Sequence, residues 1–138
     1  MFESSLHNLL TTNGNLSALL STFQGIPAIF SDIAPQEAGE NYIVFDIQQD
    51  PGDYLELDTF TIDFNIYSTS RSNEVIRNIV EQIIFILEPN SITNDPRYRN
   101  IRFYRGSGGY IKSNESEINQ YNLQIYARAT RKKWIDQL

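Results

Sequence analysis

Four arginines fall within nine residues, Arg97, Arg99, Arg102 and Arg105, interleaved with Tyr98, Phe103 and Tyr104. Guanidinium groups clamp phosphates and aromatic rings stack on bases, so this stretch has the side chains of a single-stranded nucleic-acid groove. The same residue types anchor protein–protein interfaces. Acid exceeds base elsewhere in the chain, and a polyanion needs many neutralising cations to bind. That balance favours the interface over the nucleic-acid-binding module.

Carboxylates crowd a second stretch. Asp50, Asp53, Glu56 and Asp58 lie close together around Pro51-Gly52 and beside Tyr54. Carboxylate oxygens are the ligands of hard cations. Their spacing lacks the regular alternation of a calcium loop, so the stretch predicts a solvated acidic arm, with a bound cation left open. His7 is the only histidine, with Ser4 and Ser5 nearby. Positions three apart are neighbours on a helix, but no third group is placed to orient the imidazole and no strained nucleophile turn is present. His7 therefore reads as a surface or boundary side chain. Gly106-Ser107-Gly108-Gly109 lacks the Lys-Ser/Thr of a phosphate loop, and no helical pattern follows it. It predicts a turn or mobile tip. With no catalytic constellation, cofactor motif or metal set, the expectation is a protein that is not an enzyme.

The 138 residues suffice for one domain. A hydrophobic content of 41%, with 12% aromatic, can fill a core. No apolar run is long enough to cross a membrane, and Met1-Phe2-Glu3-Ser4-Ser5 lacks the basic start of a signal peptide. The absence of cysteine rules out disulfides and thiolate metal sites and fits a cytosolic origin. The net charge of −6 is unevenly spread. Residues 1–90 hold thirteen acidic residues against two basic, a balance of −11, and residues 91–138 hold four against nine, a balance of +5. Folding can mix the halves in space. Otherwise the molecule is two-sided, and copies or partners meet acid to base.

The elements that must position these residues centre on 58–87. Phe60, Ile62, Phe64 and Ile66 alternate with Thr61, Asp63, Asn65 and Tyr67, which predicts a strand with one apolar and one polar face. Leu55 and Leu57 sit on the opposite parity, so a bulge or longer loop is expected near Asp58. Ser72 or Asn73 can cap a helix. Val75, Ile76, Ile79, Val80, Ile83, Ile84 and Leu87 then share one helical stripe, and Pro89 ends it. Before this unit come a helix through Phe2, Leu6, Leu9 and Leu10, a second helical piece over 16–23, and a strand over 42–48. Gly14 suits a left-handed cap between the two helices. After it come a polar loop, a short strand over 101–105 and a last strand over 118–129. The expectation is an α+β fold, with a four-stranded, mainly antiparallel sheet and an N-terminal helix and one long central helix on one face, in the order α-β-β-α-β-β. A hairpin arm near 49–58 and a basic segment over 130–138 complete the domain.

The polar face of that sheet is unusual. Thr61, Asp63, Asn65 and Tyr67, with Asn122, Gln124, Tyr126 and Arg128, are mostly uncharged, and lysine occurs only at positions 112, 132 and 133. Solvated sheets usually carry lysine and other charges that resist association. A face of Tyr, Asn, Gln and Thr can instead bury against another copy while keeping its hydrogen bonds.

Several segments together resemble the tail-terminator, or tail-completion, proteins of long-tailed bacteriophages. They are the Leu-x-x-Leu-Leu helix, Ile-Phe-Ser-Asp, Ala-Pro-Gln at 34–36, Asn-Tyr-Ile-Val-Phe at 41–45, Phe-Thr-Ile-Asp-Phe-Asn-Ile-Tyr-Ser at 60–68 and Tyr-Asn-Leu-Gln-Ile-Tyr-Ala-Arg at 121–128. Tyr67 stands where many members carry tryptophan, and the Asp95–Arg105 loop is longer. The resemblance implies a homo-oligomeric ring, usually a hexamer, in the head-proximal part of the virion tail. Such a ring caps the tail tube, stops its growth and meets the head-side connector, while DNA passes through the lumen without specific binding. A related neck, adaptor or tube-like protein is the alternative of the same class. By analogy, Asp50, Asp53, Tyr54 and Glu56 of the arm, Arg97, Arg99, Arg102 and Arg105, and Tyr67, Tyr126 and Arg128 of the sheet are candidate contacts with other copies, the tube protein or the connector. No cofactor and no membrane partner are expected.

Overall fold

A computed structural model describes residues 2–35, 39–50, 57–69, 73–111 and 118–131. Helices α1 (Glu3–Thr11) and α2 (Gly14–Leu19) come first, followed by β1 (Thr22–Phe23), β2 (Ile26–Pro27), β3 (Ile29–Ser31) and β4 (Asn41–Gln49). Next come β5 (Leu57–Ser68), α3 (Glu74–Leu87), β6 (Ser91–Ile92), β7 (Tyr98–Ile111) and β8 (Asn119–Arg131).

The fold is mostly β, which overturns the expected four-stranded α+β sandwich. One sheet has six strands in the order β3-β4-β5-β8-β7-β6. It is mixed, because β3 runs parallel to β4 while the other neighbours are antiparallel. The helices are short, and even α3 has only 14 residues. The edge strand β6 was missed because two residues are too few to display a period of two, while β3 overlaps a stretch, 25–30, that Pro27 marks as extended chain but not as a sheet strand. A separate hairpin of β1 and β2 turns through Gln24 and Gly25, both at positive φ (52° and 80°), as the two central residues of a tight hairpin turn require.

The centre of the sheet follows the alternation. From Asp58 to Ser68 every even position of β5 is buried and every odd one half-buried. Its register with β8 runs unbroken from Leu57 opposite Thr130 to Ser68 opposite Asn119. No bulge interrupts this pairing, and the longer loop expected as the alternative to a bulge falls on 51–56, outside the described residues. Asp58 itself takes the core-face position, which absorbs the change of parity. The arm residues Asp53, Tyr54 and Glu56 lie outside the described residues, as does 132–138 of the basic segment.

The glycine run differs as well. Ile101–Arg105 and Tyr110–Ile111 belong to one 14-residue strand, and the expected turn is a bulge between Arg105 and Gly108. Glycine is needed there. A Cβ on Gly106 would come within 2.5 Å of the Gln124 carbonyl oxygen, and one on Gly108 within 2.4 Å of the Tyr121 hydroxyl.

All three helices bury their apolar stripes against the even-numbered side of β5. Leu6, Leu10, Leu16, Ile76, Ile79, Ile83 and Leu87 join Phe60, Ile62, Phe64 and Ile66 in one core. Gly14 is the first residue of α2 and not a cap of α1, because the Asn13 side chain accepts from Leu16 N at 3.0 Å and starts the new helix. That helix stops at Leu19, and Thr22–Phe23 leave it for β1. Asn73 makes no side-chain cap for α3. At the other end, Asn90 Nδ2 donates to the Ile86 carbonyl at 2.6 Å and satisfies one of the helix's last oxygens.

Phe2 secures the start of the chain. It is fully buried, and its ring meets Phe60, Tyr98 and Phe103 edge-on, with centroids 4.9, 6.4 and 6.5 Å away. Truncating a buried phenylalanine costs about 3–5 kcal/mol, so Phe2→Ala is expected to shift the urea midpoint by that equivalent. A loss below about 1 kcal/mol would show that the first residues contribute little to the core.

Candidate interaction surface

The odd-numbered residues of β5 and their neighbours form the face opposite the helices. The register sets them in rows across β4, β5, β8 and β7. Tyr42, Tyr67, Gln120 and Ile111 make one row, and Val44, Asn65, Asn122 and Gly109 the next. Asp46, Asp63 and Gln124 follow, then Gln48, Thr61, Tyr126 and Tyr104, and last Thr59, Arg128 and Arg102.

Polar side chains bond across the strands in the middle of this face. Gln120 Nε2 donates to Asn65 Oδ1 and Tyr67 Oη, each at 3.3 Å, and Asn122 Nδ2 donates to Asn65 Oδ1 at 3.1 Å. Gln124 Nε2 donates to Asp63 Oδ1 at 3.0 Å, and Thr61 Oγ1 donates to the Asp50 carboxylate at 3.2 Å. The Tyr42 and Tyr67 rings stack 4.8 Å apart and 16° from parallel. Burial, with Tyr67 beside it, pushes the Tyr42 phenol above its ordinary pKa. At the far end Arg128 lies over the Tyr104 ring, 5.1 Å from its centroid.

The sequence candidates divide between places. Tyr67, Tyr126, Arg128, Arg102 and Asp50 share the open face. Arg105 has the opposite parity and pairs with Glu88, at the end of α3, at 2.9 Å. Arg97 lies in the turn before β7, where its backbone N donates to Asp95 Oδ1 at 2.9 Å. Arg99 occupies the irregularity between Tyr98 and Asn100 and is exposed. The four arginines thus form no single groove. The acidic stretch divides too, since Asp50 serves the open face and Asp58 turns into the core. His7 Nε2 donates to the Ile29 carbonyl at 3.0 Å and Ser5 Oγ to Asp95 Oδ2 at 2.8 Å. Both side chains thereby tie α1 to its neighbours, β3 and the loop before β7. A groove of about 570 Å³ beside α1 is lined by Ser5, Asn8, Leu9, Thr12 and residues 91–94, all hydroxyl, amide or apolar. Among the described residues no three His, Cys, Asp or Glu side chains cluster as a metal site, and no helix is long and apolar enough to cross a membrane.

Sequence reasoning missed the group that fixes one end of the sheet. Asp58 is 4% exposed. It is paired with Arg131 and accepts from Tyr98 Oη at 3.1 Å. The odd parity of Leu55 and Leu57 was the available signal, because it left Asp58 on the core side. The Arg131 hydrogen bond, then that of Tyr98 and the arginine's charge, hold the Asp58 carboxyl below its ordinary pKa against the opposing effect of burial. Burial first, and the Asp58 charge second, push Tyr98 up to about 12.

A carboxyl whose folded pKa is depressed stabilises the fold above its unfolded value, about 3.9. That contribution is lost as pH falls through the lower folded pKa. Wild-type stability is therefore expected to drop between about pH 4 and the acid limit more steeply than that of Asp58→Asn, measured by urea unfolding at each pH. Parallel profiles would show that Asp58 carries no such linkage. Tyr98→Phe, which removes one hydrogen bond to the carboxylate, is expected to cost about 1–2 kcal/mol at neutral pH.

The backbone resembles a chain in the solved virion of a native gene transfer agent (GTA) particle, with a TM-score of 0.68 at 12% identity, over 91% of both chains. At that identity the likeness is one of fold. No protein-family model and no curated protein matches the sequence.

Proposed function

We propose that this chain is a structural component of a phage-like virion, and within that class a tail terminator: a ring, hexameric in the manner of the family it resembles, that caps the tail tube and joins tail to head. The observation that carries the reading is the likeness to a virion chain across 91% of both lengths. The open face supports it, because its tyrosines and arginines are residue types enriched at interfaces. Its function is geometric. One surface binds the last tube layer, another meets the connector, and no bond is made or broken. The acid excess of the chain lets DNA pass the ring without adhering. A nucleic-acid module is disfavoured, since Arg105 points to Glu88 and Asp46 and Asp63 share the face with Arg102 and Arg128.

Deleting the gene from its parent particle is expected to give tails of uncontrolled length that fail to join heads, seen by negative-stain electron microscopy. Tails of normal length would exclude termination, and normal tails lacking only heads would favour an adaptor. Arg102→Glu lies at an exposed position, so it is expected to keep the wild-type circular dichroism spectrum and melting temperature yet fail to rescue the deletion. Full rescue would remove Arg102 from the contact surface.

A further inference from the structure

The open face carries two like-charge pairs of opposite sign. Asp46 of β4 stands directly opposite Asp63 of β5, and Arg102 of β7 directly opposite Arg128 of β8. Side chains so opposed have Cβ atoms about 4.5–5.5 Å apart, and like charges there destabilise a sheet. The ion pairs among the described residues, Asp58 with Arg131 and Glu88 with Arg105, involve none of the four. Asp63 receives only a neutral donor from Gln124, and Arg128 rests on the Tyr104 ring. Between the two pairs lie Tyr104 and Tyr126, opposite each other and 42% and 44% exposed.

We infer that a second copy of this chain docks on this face, with the aspartate pair of one copy against the arginine pair of the other and the tyrosine row buried between them. Charge complementarity selects the occupant. A polyanion relieves the arginines but is repelled by Asp46 and Asp63, and a basic partner does the reverse. Another copy supplies both signs in the spacing required. A two-fold axis through the face matches both pairs at once, because the same patch then meets itself. The rows span roughly 30 Å by 20 Å from strand rise and spacing, which with side-chain relief approaches the ~800 Å² per partner of a stable interface. This inference deepens the reading of the chain as an assembling virion component and rests on it.

The test is analytical ultracentrifugation of the full chain and two double reversals, Asp46→Arg with Asp63→Arg and Arg102→Asp with Arg128→Asp. Circular dichroism checks that each variant is folded. Wild type is expected to associate at low salt and to weaken at least ~10-fold in about 1 M salt, where the screening length falls to about 3 Å. Each reversal alone gives all four of these positions one sign and is expected to lose association by ~100-fold or more. An equimolar mixture of the two restores complementarity and association, with the mass of a pair. A monomeric wild type at all salts, association untouched by the reversals, or a mixture that stays monomeric overturns the inference. So does single-stranded DNA binding that is lost in the arginine reversal without any self-association. If the reversals leave association unchanged while the gene deletion still gives overlong, headless tails, the surface is wrong and the proposed function stands. If the mixture rescues association while the deletion leaves tails normal, the surface stands and the function falls.

Discussion

The unbroken pairing of β5 with β8 is the constraint on which the rest depends. Twelve consecutive residues, Leu57 to Ser68, each meet one partner from Thr130 to Asn119 with no shift. Side chains alternate across a strand, so this register alone decides which residues reach the helices and which face outward. β4 adopts the same phase, with Phe45 opposite Phe64 in the core and Asp46 opposite Asp63 outside. The core cluster and the outer array are thus two consequences of one alignment. A substitution that slipped it by one residue would exchange them.

The two faces obey different physics. The inner one is fixed by burial, since apolar area removed from water is worth roughly 25 cal/mol per Å² and tolerates few voids. The outer one is fixed by cross-strand hydrogen bonds between short amides, each of small net value, and it tolerates pairings that burial would forbid. Asp46 beside Asp63 and Arg102 beside Arg128 cost little in the high dielectric of an open face. The same pairs gain weight once water leaves. A face built this way is weakly strained in the free chain and strongly selective about what covers it.

Much of the centre was legible in the sequence because its signals are long. The alternation of Phe60 to Ile66 is visible over seven residues, and the stripe from Val75 to Leu87 over nearly four helical turns. What escaped was short or relational. β3 and β6 are too brief to show a period, and a parallel neighbour such as β3 leaves no hairpin signature. Gly106 to Gly109 has the composition of a turn, and only the approach of Gln124 and Tyr121 reveals why a strand needs glycine there. The division of the arginines depends on strand parity through a bulge, which sequence spacing does not encode. The like-charge pairs belong to no segment at all, because Asp46 and Arg128 acquire their neighbours only from the register.

The hydrophobic pattern has an ambiguity that the ion pair of the buried Asp58 resolves. A slip of β5 by one residue is forbidden by the exchange of faces, but a slip by two keeps every apolar side chain inside. In one direction Phe60, Ile62 and Phe64 would meet Ile125, Leu123 and Tyr121, with a changed but still apolar core. Asp58 breaks the degeneracy in that direction. In the observed register it stands opposite Ala129 with Arg131 and Tyr98 within reach, and this slip would set it opposite Ala127, about 7 Å further from Arg131 along β8. An uncompensated carboxylate in a buried position is far more costly than a repacked methyl group. The polar residue on the apolar face thus contributes information that the apolar residues lack, and it does so at the start of β5.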